Sequence, residues 1–142
     1  MKTVSIHSKE LLSLIIEAID VGSSFKLKVK GQSMYPFLLH DKSYVVLSKP
    51  DNIKRNSIYL FVYNDNVILH SLRKIKKEEY FFIGDAQYRY EIVKKQDVIA
   101  KVIAIKTDKK RINPNSKWNC LKVNLWYSIK KAKKIARRII KR

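Results

Sequence analysis

From Phe25 onward the apolar residues stop recurring every three or four positions and begin to alternate, and this change of period restricts the fold more than any other feature of the chain. "FKLKVK" sets Phe25, Leu27 and Val29 against lysines, the pattern of a strand with one buried and one wet face. "SYVVLS", "SIYLFVY", "NVILHSLRKI", "EYFFIG" and "DVIAKVIAI" follow, each rich in β-branched or aromatic residues. Asn64-Asp65-Asn66 and the stretch from Lys76 to Glu79 supply hairpin breaks. With no βαβ rhythm and no internal repeat, the centre of the chain is predicted to be a mostly antiparallel sheet.

Helical periodicity holds at both ends. Residues 8–20, "SKELLSLIIEAID", carry Leu11, Leu12, Ile15, Ile16 and Ile19 as a wide stripe, with Ser8 as cap and Gly22 where the helix should stop. After a polar linker containing Pro114, Leu125, Ile129, Ala132, Ala136 and Ile139 recur at helical spacing, with Trp126 and Ile140 beside them and Lys/Arg opposite. The expected fold is mainly β, of the α+β kind: a small antiparallel β domain with an N-terminal helix and a basic amphipathic C-terminal helix. At 142 residues one domain is the default, so 1–108 is read as that domain and 109–142 as linker and helix.

Charge follows the same division. Residues 1–108 hold 18 Lys/Arg and all 12 acids, whereas residues 109–142 hold 13 Lys/Arg and no acid. Three uses of the basic helix are open: a charged face packed on the domain, adsorption to an anionic membrane surface through residues 120–142, or nucleic-acid binding. Nucleic acid is not the partner expected, because residues 1–24 have room for one helix and not for a helix-turn-helix. In the membrane reading Trp126, Ile129 and Ile139 enter the headgroup region, and a chain ending at Asn113 stays folded but no longer binds vesicles. The single cysteine, Cys120, leaves no internal disulfide and no Cys-based zinc site. His7 and His40 have no ligand spacing around them, so no metal and no cofactor are expected. The apolar run Leu11 to Ile19 is broken by Ser13 and Glu17 and does not read as a signal peptide, and no stretch approaches the ~20 apolar residues that span a bilayer.

The connection between the first two strands, "KGQSMYPFLLHDK", carries the candidate chemistry. Gly31 permits a tight bend, Pro36 fixes φ, and Ser33 is presented at a sheet edge. Gly31-x-Ser33-Met34-x-Pro36, followed by an aliphatic pair, an acid and a Val-rich strand, resembles the nucleophile motif of the signal peptidase and LexA-type superfamily of serine peptidases. "VILHSLRKI" stands where that superfamily carries its general base, with His70 37 residues after Ser33. "IGDAQYRYEIVKKQDVIAKVIAI" is similar to its Gly-Asp motif and closing strand, and the resemblance spans roughly residues 8–106. His70 in place of lysine is similar to the histidine-using branch, here without the arginine that often follows. The chain looks closest to the short, anchorless, signal-peptidase-like members found beside genes for modified-peptide maturation. His40 replaces the glycine common before the acid.

The residue types suit that chemistry. A serine hydroxyl needs a base within hydrogen-bond reach to attack a peptide carbonyl, and a neutral imidazole can take the proton and return it to the leaving amine. Ser33 is thus the candidate nucleophile and His70 the general base. Asp85 is the candidate to orient the imidazole, with capping of the Gly84 turn as its alternative, and Glu91 falls where such families often have a second acid. Lys74 is the rival base, but four strand residues set it ~13 Å from His70, so both cannot serve one serine. With glycine at 31, the backbone N–H of Ser33 is left as the main oxyanion donor, while Met34 and Pro36 shape the bend and the cleft. The expected activity is that of a serine endopeptidase cutting a leader or signal segment from a precursor, in the cytoplasm or peripheral on the inner face of the membrane. The alternative is a non-catalytic module of the same fold that docks nucleic acid or anionic membrane through its basic tail.

Overall fold

The computed structural model describes residues 9–140, so the expected cap Ser8 and His7 lie outside the described residues. Helix α1 (Lys9–Asp20) turns Ile15 and Ile19 into the core, and the chain leaves it through Gly22, whose φ of +82° suits a residue without a side chain. Strands β1 (Phe25–Lys28), β2 (Tyr44–Ser48), β3 (Ile58–Tyr63), β4 (Asn66–Lys76), β5 (Glu79–Ile83), β6 (Glu91–Lys94), β7 (Val98–Lys106) and β8 (Arg111–Ile112) follow. They form one sheet in the order β1-β2-β7-β3-β4-β5-β6, with β8 beside β7 and all pairings antiparallel. The small antiparallel fold with a helix at each end is therefore as the sequence indicates. Strands β6 and β8 are additions, four and two residues long, too short to show a period of their own.

Turn chemistry sets the register around the site. Asn64 and Asp65 both have positive φ, at 49° and 62°, which gives the tight two-residue turn that pairs Tyr63 with Asn66. The pairing then runs on to place His70 opposite Tyr59 and Ser71 opposite Ile58.

Apolar residues cover both faces of the central strands. Ile58 and Leu60 of β3 join Ile15, Leu47, Leu69 and Val102 on one face, whereas Tyr59 and Phe61 join Leu72, Phe82, Val93 and Val98 on the other. That double burial explains why "SIYLFVY" reads as an unbroken apolar run rather than an alternating one. Ile68 packs against the second cluster, and His70 sits on that face with its ring edge-on to Phe61, 6.2 Å between centroids.

Helix α2 (Lys117–Ile140) packs on the domain by a polar side, with Trp126, named for the headgroup region in the membrane reading, turned inward. Its inward side is Asn119, Val123 and Lys130, all buried, with Trp126 and Tyr127 reaching the loop after β5. The stripe of Leu125, Ile129 and Ile139 faces away from the sheet, Leu125 being 61% exposed. Polar demand decides this: the 84–87 loop offers a carboxylate and three backbone carbonyls, and Trp126, Tyr127 and Lys130 supply donors where leucines could not. No helix among the described residues is long and apolar enough to cross a membrane.

Candidate active site

The loop between β1 and β2 is tied off at its base before it reaches Ser33. Val29 N–H donates to the Ser43 carbonyl and Asp41 N–H to the Val29 carbonyl, both at 2.9 Å. Gly31 has φ +90°, a conformation that side chains rarely tolerate, and its N–H donates to His40 Nδ1 at 2.7 Å. His40 Nε2 lies 3.0 Å from Asp41, which also pairs with Lys30, and that ammonium holds the Asp41 carboxyl below the usual range. The imidazole at position 40 thus closes the bend through its side chain. Phe37 and Leu38 N–H groups donate to the Met34 carbonyl, and Met34 and Leu38 anchor the loop in the core. Pro36 follows a cis Tyr35–Pro36 bond at the crest.

Ser33 and His70, 37 residues apart in sequence, come together: Ser33 Oγ stands 3.1 Å from His70 Nε2. The other ring nitrogen, Nδ1, lies 2.7 Å from Glu91 Oε1 at the start of β6. An unprotonated carboxylate only accepts, so this contact puts the imidazole proton on Nδ1 and leaves Nε2 to accept from the serine hydroxyl. The serine and the imidazole are nearly covered, at 5% and 2% exposure, which strengthens both hydrogen bonds relative to water.

The acid on the imidazole is Glu91, where Asp85 was the expected one. Asp85 accepts instead from Ser71 Oγ at 2.9 Å and from the Tyr127 hydroxyl of α2. Ser71 follows His70 on β4, so its side chain leaves the opposite face, and a carboxylate committed to Ser71 is turned away from Nδ1. Burial pushes the Asp85 carboxyl up to about 6, against the lowering effect of those two hydrogen bonds. Its second oxygen has no hydrogen-bond partner among the described residues. Burial and the facing Asp85 charge also raise the Tyr127 hydroxyl, while burial lowers the Lys130 ammonium to about 8. Lys74, the rival base, is exposed and lies over the Phe81 ring, 5.3 Å from its centroid.

A second loop, residues 84–87, seats the first. Ala86 N–H donates to the Ser33 carbonyl at 2.8 Å, and Asp85 N–H to the Met34 sulfur at 3.4 Å. Gly84 is where the two loops touch: a Cβ there would meet the Ser33 carbonyl oxygen at 2.5 Å and His70 Nε2 at 3.0 Å. Helix α2 fixes this loop from outside, through Trp126 Nε1 to the Asp85 carbonyl at 2.6 Å and through Lys130 to the Gly84 and Gln87 carbonyls. Trp126 also packs edge-on against Phe37 of the serine loop, 6.5 Å between centroids. Nothing in the sequence pointed to these α2 contacts, because an amphipathic pattern does not say which of its polar residues will be donors. Among the described residues no group of three His, Cys, Asp or Glu is placed to hold a metal ion.

A family model described as Peptidase S24-like matches residues 5–105, a span that contains both loops, β4 and Glu91 but not α2. No curated protein matches the chain at a significant level.

Proposed function

Because the chain belongs to the Peptidase S24-like family, we propose that it is a serine endopeptidase whose nucleophile is Ser33 and whose general base is His70. The observation that carries this reading is the line Glu91–His70–Ser33, with contacts of 2.7 and 3.1 Å. His70 Nε2 takes the hydroxyl proton as Oγ attacks the scissile carbonyl, and the imidazolium, held by Glu91, then protonates the leaving amine. Water reverses the sequence to free the acyl-enzyme. The Ser33 backbone N–H is the oxyanion donor in this scheme, on a loop whose shape is held by Gly31, Met34 and Pro36.

The substrate is a peptide or protein precursor from which a leader or signal segment is removed. The histidine base supports the signal-peptidase-like branch for that role, and the acid-free basic end supports work in the cytoplasm, peripheral to the inner face of a membrane. A non-catalytic module of the same fold is the other reading; a base without an acid partner would have favoured it.

The test uses a serine-reactive fluorophosphonate probe together with a library of quenched-fluorescence peptides. Ser33→Ala should abolish labelling. Ser33→Ala and His70→Ala should each lower hydrolysis ~10³-fold or more, with the double variant adding little because the two act as one unit. Lys74→Ala should stay near wild type. Wild-type protein that neither labels nor cleaves, while binding polyanions in a salt-dependent way, would replace the peptidase with the binding module.

A further inference from the structure

Helix α2 is 24 residues long, about 36 Å, and only one side of it is used by the fold. The opposite side carries Trp118, Leu121, Leu125, Ile129, Ile139 and Ile140, all exposed, from 41% at Ile129 to 83% at Ile140. They fall on one face, with Trp118 to Ile139 three or four residues apart once Ala132 and Ala136 are counted and Ile140 beside Ile139. At 100° per residue, Lys122 and Lys133 border this face on one flank and Lys117 with Ser128 and Ile135 on the other, with Lys131 and Arg138 further round toward the sheet, so cations line one long edge of an apolar strip and stand back from the other. A water-exposed helix face of this kind marks an interaction surface.

Three occupants can be weighed by charge. A second copy of the helix would bring together two helices that each hold eight Lys/Arg and no acid, so apolar contact would be opposed by repulsion along its whole length. Nucleic acid would answer the cations and leave the apolar strip against water or phosphate. An anionic lipid surface answers both, with the strip entering the acyl boundary and the flanking cations meeting headgroup phosphates.

We propose that the outward face of α2 is a docking surface for anionic membrane. Trp126 is not part of it: its indole is held inward on the Asp85 carbonyl, and Trp118 is the tryptophan that enters the interface. The inward face grips the 84–87 loop while the outward face meets lipid, which sets the serine loop about one helix diameter, ~10 Å, above the surface. The docking does not depend on the peptidase reading.

Full-length protein mixed with vesicles of phosphatidylglycerol and phosphatidylcholine should co-sediment, with a blue shift of Trp118 fluorescence. Vesicles of phosphatidylcholine alone should bind far less. Leu125→Glu and Ile139→Glu should each weaken binding at least about tenfold, from lost apolar burial and added negative charge. Peptide hydrolysis in solution should be unchanged in both, since neither residue touches the catalytic loops. Vesicle binding that survives both substitutions overturns the proposal. So does a concentration-dependent dimer that the substitutions dissolve in the absence of any vesicle binding, which would assign the face to a second copy.

Discussion

Two carboxylates lie near the imidazole, and their surroundings give them opposite duties. Glu91 is bonded to His70 Nδ1, whereas Asp85 is sealed between Ser71, Tyr127 and the core, with one oxygen lacking a hydrogen-bond partner among the described residues. Glu91→Gln should therefore cut kcat by ~10²-fold or more, because an amide can present its NH₂ to Nδ1 and favour the wrong tautomer. Asp85→Asn should change stability instead. A carboxyl raised from 3.8 to about 6 by burial contributes stability that is fully present below its ordinary range and is lost as pH rises through 6. The cost of ionising it at pH 8 is on the order of 3 kcal/mol at 1.36 kcal/mol per unit. The asparagine variant keeps an acceptor for Ser71 and Tyr127 and has nothing to ionise. Urea unfolding of wild type should weaken between about pH 4 and 7 relative to Asp85→Asn. Parallel pH profiles for the two proteins would show that Asp85 is not the group held uncharged.

At the scale of loops and strands, the Ser33–His70 geometry depends on two loops pressed together at Gly84. A methyl there would overlap the Ser33 carbonyl and crowd His70 Nε2, and both contacts belong to parts that the core holds fixed. Gly84→Ala should therefore displace the serine loop by up to ~1 Å, lowering hydrolysis ~10²-fold for a stability loss of only ~1–3 kcal/mol. An alanine variant with full activity would mean that the loops yield without moving the dyad. Much of this architecture was legible beforehand. Alternation in "FKLKVK" and the β-branched or aromatic runs after it marked six of the eight strands, and the Gly31-x-Ser33-Met34-x-Pro36 bend marked the loop. Glu91 was noticed by position but not given the contact, because β6 has no sequence period and its register on β5, Phe82 opposite Glu91, is a tertiary fact. His40 read as a departure from the usual glycine, whereas its Nδ1 supplies the acceptor that fixes Gly31. A side chain closing a turn is invisible to a rule that looks for residues with free backbones.

Across the whole molecule, α2 extends the unit that supports the Ser33–His70 pair beyond the family match. Composition divides the chain near 108, and in the membrane reading of the basic end a chain ending at Asn113 was expected to stay folded. The contacts of α2 argue for the opposite outcome. Removing α2 takes away the burial of Val123, about 2 kcal/mol from that side chain, and the donors that hold the 84–87 loop. One effect runs the other way: without Tyr127 above it, Asp85 meets water, its carboxyl returns toward the ordinary range, and the cost of its ionisation disappears. That cost is absent from wild type at low pH and present at pH 8, so truncation should destabilise more at pH 4.5 than at pH 8. Hydrolysis should fall at both, because the loop that seats Ser33 has lost its outer support. Chemical unfolding and peptide cleavage at the two pH values separate these effects. A shortened chain as stable and as active as the full one at both pH values would return α2 to the status of an appendage.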